Sequence, residues 1–354
     1  MPAAIYPAPF AKVLAWAAAA LSMGFLAGCQ RPAAPSPDQA PPADFLSPPL
    51  PTTDGRLAAS NFQAELAQAQ RQHRERPGNL SRARQLVDHL LTHAQFFGRP
   101  GDYDRALTVA NEAVTAAPTS GDAHLLRARA LSALHQFPQA LIELDAAQTW
   151  QADADKVMRA RAGVWQAVGQ IDRALPYLRA WRRDRPDLTT FSAEAGAYAD
   201  RRDFPAAARA FAEARRHYGD VSPFPVAWLE FQEGHMWEIA GRADRALALY
   251  QAAHDRLPGY AAATAHLAAI VAAFGDAAGL RQAESLLRPL AGSSDDPEFA
   301  GQLAMVVRQQ GHDAEADALV RRATDAYEAL LHRHPEAFVR SRGAGVRGRH
   351  SSRP

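Results

Sequence analysis

One alanine returns at a nearly fixed interval along most of the chain, and this interval constrains the fold more than any other feature. Ala106, Ala140 and Ala174 are evenly spaced, in the phrases Asp-Arg-Ala-Leu, Pro-Gln-Ala-Leu and Asp-Arg-Ala-Leu. The alanine recurs at Ala207, Ala246, Ala283 and Ala316. The gaps before Ala246 and Ala283 are somewhat longer than the others. Such a period indicates supersecondary units that stack on one another, because one unit alone cannot bury its apolar face.

These residues resemble the tetratricopeptide repeat, a helix–turn–helix unit of about 34 residues with the pattern W-x2-L-G-x2-Y, then A-x3-F, then P. Pro118 and Pro186 follow the first and third alanines at the same distance. The resemblance covers about residues 80–338 and implies an all-α fold, an α-solenoid (superhelix) of about seven such units. The two longest gaps coincide with breaker-rich insertions at 222–225 and 276–279, which are expected in the turns between helices.

Each predicted first helix also carries a small residue that lets the two helices of a unit approach closely. These residues are Ala94, Ala128, Ala162, Ala195, Gly234, Ala268 and Ala304. In most units a larger apolar residue follows three positions later, which is the spacing of one helix face. Stability is therefore predicted to come from the stacking of neighbouring units.

The N-terminus resembles a bacterial lipoprotein signal peptide. Lys12 precedes an apolar run at 13–25, and Leu26-Ala-Gly-Cys29 follows with the only cysteine of the chain. The run is shorter than the ~20 residues that a membrane-spanning helix needs. The resemblance implies that residues 1–28 are removed and that Cys29 is acylated, as in a palmitate-bearing lipid anchor. Gln30, in place of aspartate, favours an outer-membrane location in the cell envelope, facing the periplasm.

Three further segments lie outside the predicted repeats. Residues 29–57 are expected to form the lipidated cysteine and an extended tether, since eight prolines fall between positions 31 and 51. Residues 58–79 are predicted to form an N-terminal capping helix whose apolar face carries Phe62, Leu66 and Ala69. Residues 339–354 are rich in arginine and glycine and are expected to be disordered.

Composition and motifs favour no enzyme class. The net charge of +1 gives no support to nucleic-acid binding, and the signatures of nucleophilic, phosphate-binding and dinucleotide-binding sites do not occur. His89 and His93 have the spacing of a metal-binding pair on a helix, but no third ligand is indicated, and a catalytic zinc needs three. We therefore expect no enzyme activity, no metal and no cofactor. A metal-binding envelope enzyme that uses these histidines is the alternative of another class.

The concave face of the superhelix is the predicted binding surface, because in the tetratricopeptide family first-helix residues line it. In the second and third units these positions carry the cations Arg129, Lys156 and Arg159, a possible anion-binding patch. In the fifth unit they carry Trp228, Phe231, His235 and Glu238. For Trp228 and Phe231 the alternative interpretation is packing between units.

The sequence thus predicts a lipid-anchored periplasmic scaffold that binds a protein or peptide partner through its concave face. Trp228 and Phe231 would be apolar anchors, and the basic residues would face an acidic stretch of the ligand. The alternative with the same fold is a dedicated outer-membrane assembly factor of the kind that serves pilus or β-barrel biogenesis.

Overall fold

The computed structural model describes residues 50–273 and 275–335, and this part of the chain is all helical, without a strand. Fifteen helices follow one another, and each packs against the next. In chain order they are α1 Gly55–Glu75, α2 Leu80–Phe97, α3 Gly101–Ala116, α4 Gly121–Ala133, α5 Phe137–Thr149, α6 Ala154–Ala167, α7 Ile171–Asp184, α8 Leu188–Asp200, α9 Phe204–Arg216, α10 Pro223–Ile239, α11 Ala243–Arg256, α12 Ala261–Ala273, α13 Ala277–Ser293, α14 Pro297–Gln309 and α15 Asp313–Arg333.

Helices α2 to α15 form seven consecutive pairs, so the prediction of an α-solenoid with seven helix–turn–helix units is confirmed. The alanine that defines the period lies on the second helix of every pair. All seven of these alanines are 0% exposed: Ala106, Ala140, Ala174, Ala207, Ala246, Ala283 and Ala316. A small side chain at this position lets the two helices of a pair approach closely, and packed interiors have little spare volume for a larger one.

Every pair is joined by a three-residue turn that contains one residue with left-handed backbone geometry. Glycine tolerates a positive φ without steric cost and commonly ends a helix in this way. Five turns use Gly98, Gly169, Gly241, Gly275 and Gly311. The other two turns place His135 and Arg202 in the same conformation, at φ 60° and 62°, so the geometry of the turn is kept where glycine is missing.

The solenoid closes on itself, because its N-terminal helices pack against the fifth and sixth pairs. Phe96, at the end of α2, is 2% exposed. Its ring centroid lies 5.1 Å from that of Phe224 and 4.7 Å from that of Tyr260. Phe62 on α1 also packs on Phe224, at 5.5 Å. These aromatic contacts join the two halves of the chain into one core.

Polar contacts extend the closure to the seventh pair. The hydroxyl of Ser294, just after α13, donates a hydrogen bond to the carbonyl of Gly98. His334, just after α15, pairs with Asp104 on α3, and Arg333 lies 3.2 Å from the same carboxylate. The described C-terminus is thereby held against the first pair.

The segment before α1 is fastened to the fifth pair. The amide of Thr53 donates to the carbonyl of Val221 at 2.7 Å. Arg256, at the end of α11, donates to the carbonyl of Leu50 at 2.9 Å and forms an ion pair with Glu230 at 2.8 Å. Residues 50–54 therefore lie beside pair five in space, although pair five follows them much later in the sequence.

Helix α1 begins three residues before its predicted start, because Asp54 caps it by accepting a hydrogen bond from the amide of Leu57 at 2.9 Å. The predicted apolar face of Phe62, Leu66 and Ala69 is buried. The helix packs on α2 and, through Phe62, on pair five. Helix α1 therefore does not only cover the first pair, as a cap would, but also joins it to pair five.

The predicted signal peptide at 1–28, Cys29, the first part of the tether and the tail at 339–354 lie outside the described residues. Within 50–273 and 275–335, none of the helices combines the length and the hydropathy needed to cross a bilayer.

Candidate functional site

Two of the predicted basic residues lie together on the surface of α6. Lys156 and Arg159 are one helical turn apart, and the Lys156 side chain is 48% exposed, with its Nζ 3.6 Å from the Asp153 carboxylate. The guanidinium of Arg159 lies 5.3 Å from the ring of Trp181, within the range of a cation–π contact. An acidic ligand can therefore reach both cations from solvent.

Arg129 does not lie beside Lys156 and Arg159 as an accessible cation, so its predicted place in the anion-binding patch is wrong. Its side chain is 11% exposed and forms an ion pair with Asp88 on α2. The pair links the first helices of two neighbouring units. Arg129 is thus occupied in stacking the first pair on the second, and its charge is already balanced.

Trp228 and Phe231 lie in the core, so the prediction that they line an open groove is wrong. They are 4% and 1% exposed. Phe231 packs on Tyr260 at 5.3 Å, and Tyr260 packs in turn on Phe96 of α2. The physical reason is the packing of pairs five and six on each other, since Phe231 also packs on Tyr250 at 5.6 Å and both residues belong to the same core cluster. The alternative interpretation, packing, describes both residues.

His235 and Glu238 lie on α10 as predicted, and the structure adds His266 from α12 to them. Nδ1 of His266 and Nδ1 of His235 lie 3.0 and 3.5 Å from Oε2 of Glu238. One ligand atom from each residue falls within 4.8 Å of the others. The two histidine side chains are each 12% exposed. This cluster bridges the first helices of pairs five and six.

Aromatic residues surround the cluster. The Tyr250 hydroxyl donates a hydrogen bond to Oε2 of Glu238 at 2.6 Å, and the Phe231 ring lies 5.3 Å from that of His266. Burial disfavours the carboxylate, but the adjoining His235, His266 and Tyr250 outweigh it and hold the pKa of Glu238 well below its usual range. The cluster therefore presents an ionised carboxylate to two imidazoles.

Sequence reasoning missed His266 because the spacing along one helix does not show which residues of the next unit that helix contacts. His235 and Glu238 have the i, i+3 spacing of one helix face, whereas His266 follows Glu238 by 28 residues. First helices of adjacent units are neighbours in a solenoid. The signal that could have predicted the cluster was a histidine, His266, placed about one repeat after the His-x-x-Glu pair.

The other histidine pair, His89 and His93, is held by protein partners. Nδ1 of His89 donates to the carbonyl of Gln85 at 2.8 Å. His93 contacts Asp102 through Nδ1 and Gln63 through Nε2, the latter at 3.0 Å. Both nitrogens of His93 are engaged, so this pair is not an open chelating site.

The class of protein that these features define is a helical repeat scaffold. Residues 99–164 match the tetratricopeptide repeat family model, a stretch that includes α3 to α5 and most of α6. The fold is accordingly an α-solenoid of tetratricopeptide-like units, as the period of the alanines indicated.

Solved structures of similar fold support this class. The human IFIT1 dimer with PPP-AAAA matches with a TM-score of 0.50 and 15% identity, over 75% of this chain and 69% of that one. The hetero-tetramer Cut9-Hcn1 matches with a TM-score of 0.50 and 13% identity, over 79% of this chain and 52% of the other. At this identity the likeness concerns the fold alone. No curated protein matches the sequence.

Proposed function

We propose that this protein is a lipid-anchored periplasmic scaffold that binds an acidic stretch of a protein partner, without enzyme activity of its own. The observation that supports this most directly is the exposed Lys156 beside the partly exposed Arg159 on a tetratricopeptide-like solenoid. Such solenoids present extended surfaces made by stacked repeats. The aromatic anchors predicted beside these cations are buried, so the proposed contact surface centres on α6.

The side chains around α6 favour an anionic ligand. Lys156 is half exposed, and its contact with Asp153 at 3.6 Å is a weak surface pair that a ligand carboxylate can displace. The Trp181 ring holds the Arg159 guanidinium in place, which reduces the conformational entropy lost when the arginine binds. Surface cations of this kind mainly raise the association rate and depend on salt.

The binding proposal is tested by charge reversal on α6. Lys156→Glu with Arg159→Glu should reduce capture of the partner from detergent-solubilised envelopes by roughly tenfold at low salt, and less at high salt. Arg183→Glu on α7 is the matched control, since this arginine is 74% exposed and its ion-pair partner is the adjacent Asp184. Equal capture by all three proteins would contradict the proposed surface.

The anchor rests on Leu26-Ala-Gly-Cys29 and the proline-rich segment behind it. Mass spectrometry of the mature N-terminus should find an acylated Cys29, and Cys29→Ser should release the protein from membranes or leave it uncleaved. An unmodified cysteine in the wild-type protein would exclude the anchor while leaving the binding surface open to its own test.

A further inference from the structure

The cluster of His235, Glu238 and His266 has the composition of a zinc site. Imidazole nitrogens and a carboxylate oxygen are ordinary zinc ligands. Ligand atoms that share one tetrahedral zinc ion, each at about 2.0–2.2 Å, lie roughly 3.3–3.5 Å apart. The two histidine nitrogens lie 3.0 and 3.5 Å from Glu238 Oε2, so a metal ion requires only small side-chain shifts.

The hydrogen bonding of the two histidines points to a missing ligand. Nε2 of His235 and Nε2 of His266 are buried without a hydrogen-bond partner among the described residues, and Nδ1 of His235 has only its contact with Glu238 at 3.5 Å. Buried polar atoms in native proteins nearly always have a partner. A metal ion coordinated by Nδ1 of both rings would give the His235 atom a strong partner, and each Nε2 would be left to bind water.

We propose that His235, Glu238 and His266 form a zinc site that links the first helix of pair five to that of pair six. Three protein ligands leave the fourth position to water. Magnesium and calcium prefer sites made of oxygen ligands, so two imidazoles select against them.

The surroundings hold the ligands in place. The Tyr250 hydroxyl donates a hydrogen bond to Glu238 at 2.6 Å. It thus orients the carboxylate from outside the coordination sphere, as hydrogen bonds to metal ligands commonly do. The rings of Phe231 and Tyr250 lie 5.3 and 5.0 Å from that of His266. They limit the rotamers open to the imidazole, so the ligand set is already close to its bound geometry.

The site is tested by zinc binding to the full-length chain, purified in detergent without a histidine tag and stripped with a chelator. Competition with a chromophoric chelator should give one zinc ion per chain with a Kd of about 1 μM or lower. His266→Gln and Glu238→Gln should each weaken binding at least tenfold, in line with the loss of one of three ligands. His89→Gln is the control, because that histidine already bonds to Gln85, and its affinity should equal that of the wild type.

Two further measurements keep the test decisive if a variant folds poorly. Zinc should raise the Tm of the wild-type chain, because a ligand that binds only the folded state stabilises it. Co²⁺ should give the visible absorption bands of a four-coordinate ion with nitrogen and oxygen ligands, and one equivalent of zinc should abolish them. A wild-type chain that shows neither a Tm rise nor these bands, or a His266→Gln chain that is folded and binds zinc as before, would overturn the proposal.

Discussion

At the scale of single residues, the repeat alanines explain why the fold was readable from the sequence. Ala140 is 0% exposed between the two helices of the second pair. The same alanine recurs once in each of the seven pairs, within a short local motif. The sequence alone therefore indicates both the helices and the face that each of them buries. No comparable signal marks the residues that meet only because the solenoid closes, such as Phe96 and Tyr260. For Trp228 and Phe231 the sequence allowed both an open groove and packing between units, and the repeat pattern did not decide between them.

Replacing Ala140 by leucine tests the tight crossing. The larger side chain overpacks the interface between α4 and α5, and we expect the free energy of unfolding to fall by roughly 1–3 kcal/mol. Denaturant unfolding followed by circular dichroism measures this loss. Ala329→Leu, at an exposed position of α15, should leave the midpoint nearly unchanged, and equal effects of the two substitutions would argue against the crossing.

A buried glutamate gives the fold a pH dependence. Burial, together with the Asp296 carboxylate, raises the pKa of Glu298 on α14 from 4.5 to about 7. The folded chain holds this proton more tightly than the unfolded chain, so the contribution to stability is complete below pH 4.5 and is lost as the pH rises through 7.

Glu298→Gln should remove this dependence. The amide stays neutral and keeps an oxygen that accepts the hydrogen bond from Gln302, now at 2.8 Å. We expect the variant to gain on the order of 1–3 kcal/mol over the wild type at pH 8 and little or nothing at pH 4. Unfolding curves at the two pH values measure this gain, and Glu328→Gln, at an exposed position, is the control. A gain of equal size at both would show that the proton on Glu298 is not the cause.

At the scale of the helix pair, the three-residue turn is the element that the chain keeps most strictly. Arg202 holds a left-handed φ of 62° in the fourth pair, where five other pairs have glycine. A side chain in this conformation costs roughly 1–2 kcal/mol. The strain shows that the packing of α8 on α9 fixes the turn even where the local sequence disfavours it.

Exchanging residues at this turn position should change stability in opposite directions. Arg202→Gly relieves the strain and is expected to raise the free energy of unfolding by up to about 1 kcal/mol, since the flexible glycine offsets part of the gain. Gly169→Ala introduces the strain in the third pair and should lower it by about 1–2 kcal/mol. No atom lies within 4 Å of the added methyl group, so only the backbone is tested. Thermal melts of both variants measure the difference, and shifts of the same sign would contradict the argument.

At the scale of the whole molecule, closure brings together residues that the repeat pattern does not relate. The sequence predicted seven pairs, and the structure contains them. It also joins the first pair to the sixth through Phe96 and Tyr260, although these two residues are far apart along the chain. The predicted aromatic anchors are buried in the same core as Phe96, while the cations of α6 remain accessible. Long-range pairing of this kind follows from the superhelical path, which no single repeat specifies.

Phe96→Ala should loosen the closed form. The substitution removes the ring that packs on Phe224 and Tyr260, and large-to-small changes of this type cost about 3–5 kcal/mol. We expect a larger radius of gyration by small-angle X-ray scattering with an unchanged helix content. Phe211→Ala is the matched control, since Phe211 is 1% exposed inside pair four and should destabilise the chain without expanding it. If neither variant shows a larger radius of gyration, or if both do, this role for Phe96 is contradicted.

The contact between Asp104 and His334 spans 230 residues, and this separation has a consequence for the order of folding. A solenoid can grow pair by pair as the polypeptide emerges from the ribosome, since each pair needs only its neighbour. The partner of Asp104, however, is synthesised 230 residues later, and contacts between residues so far apart in sequence form slowly. The early pairs therefore assemble before His334 is available, and the closure between Asp104 and His334 follows their assembly.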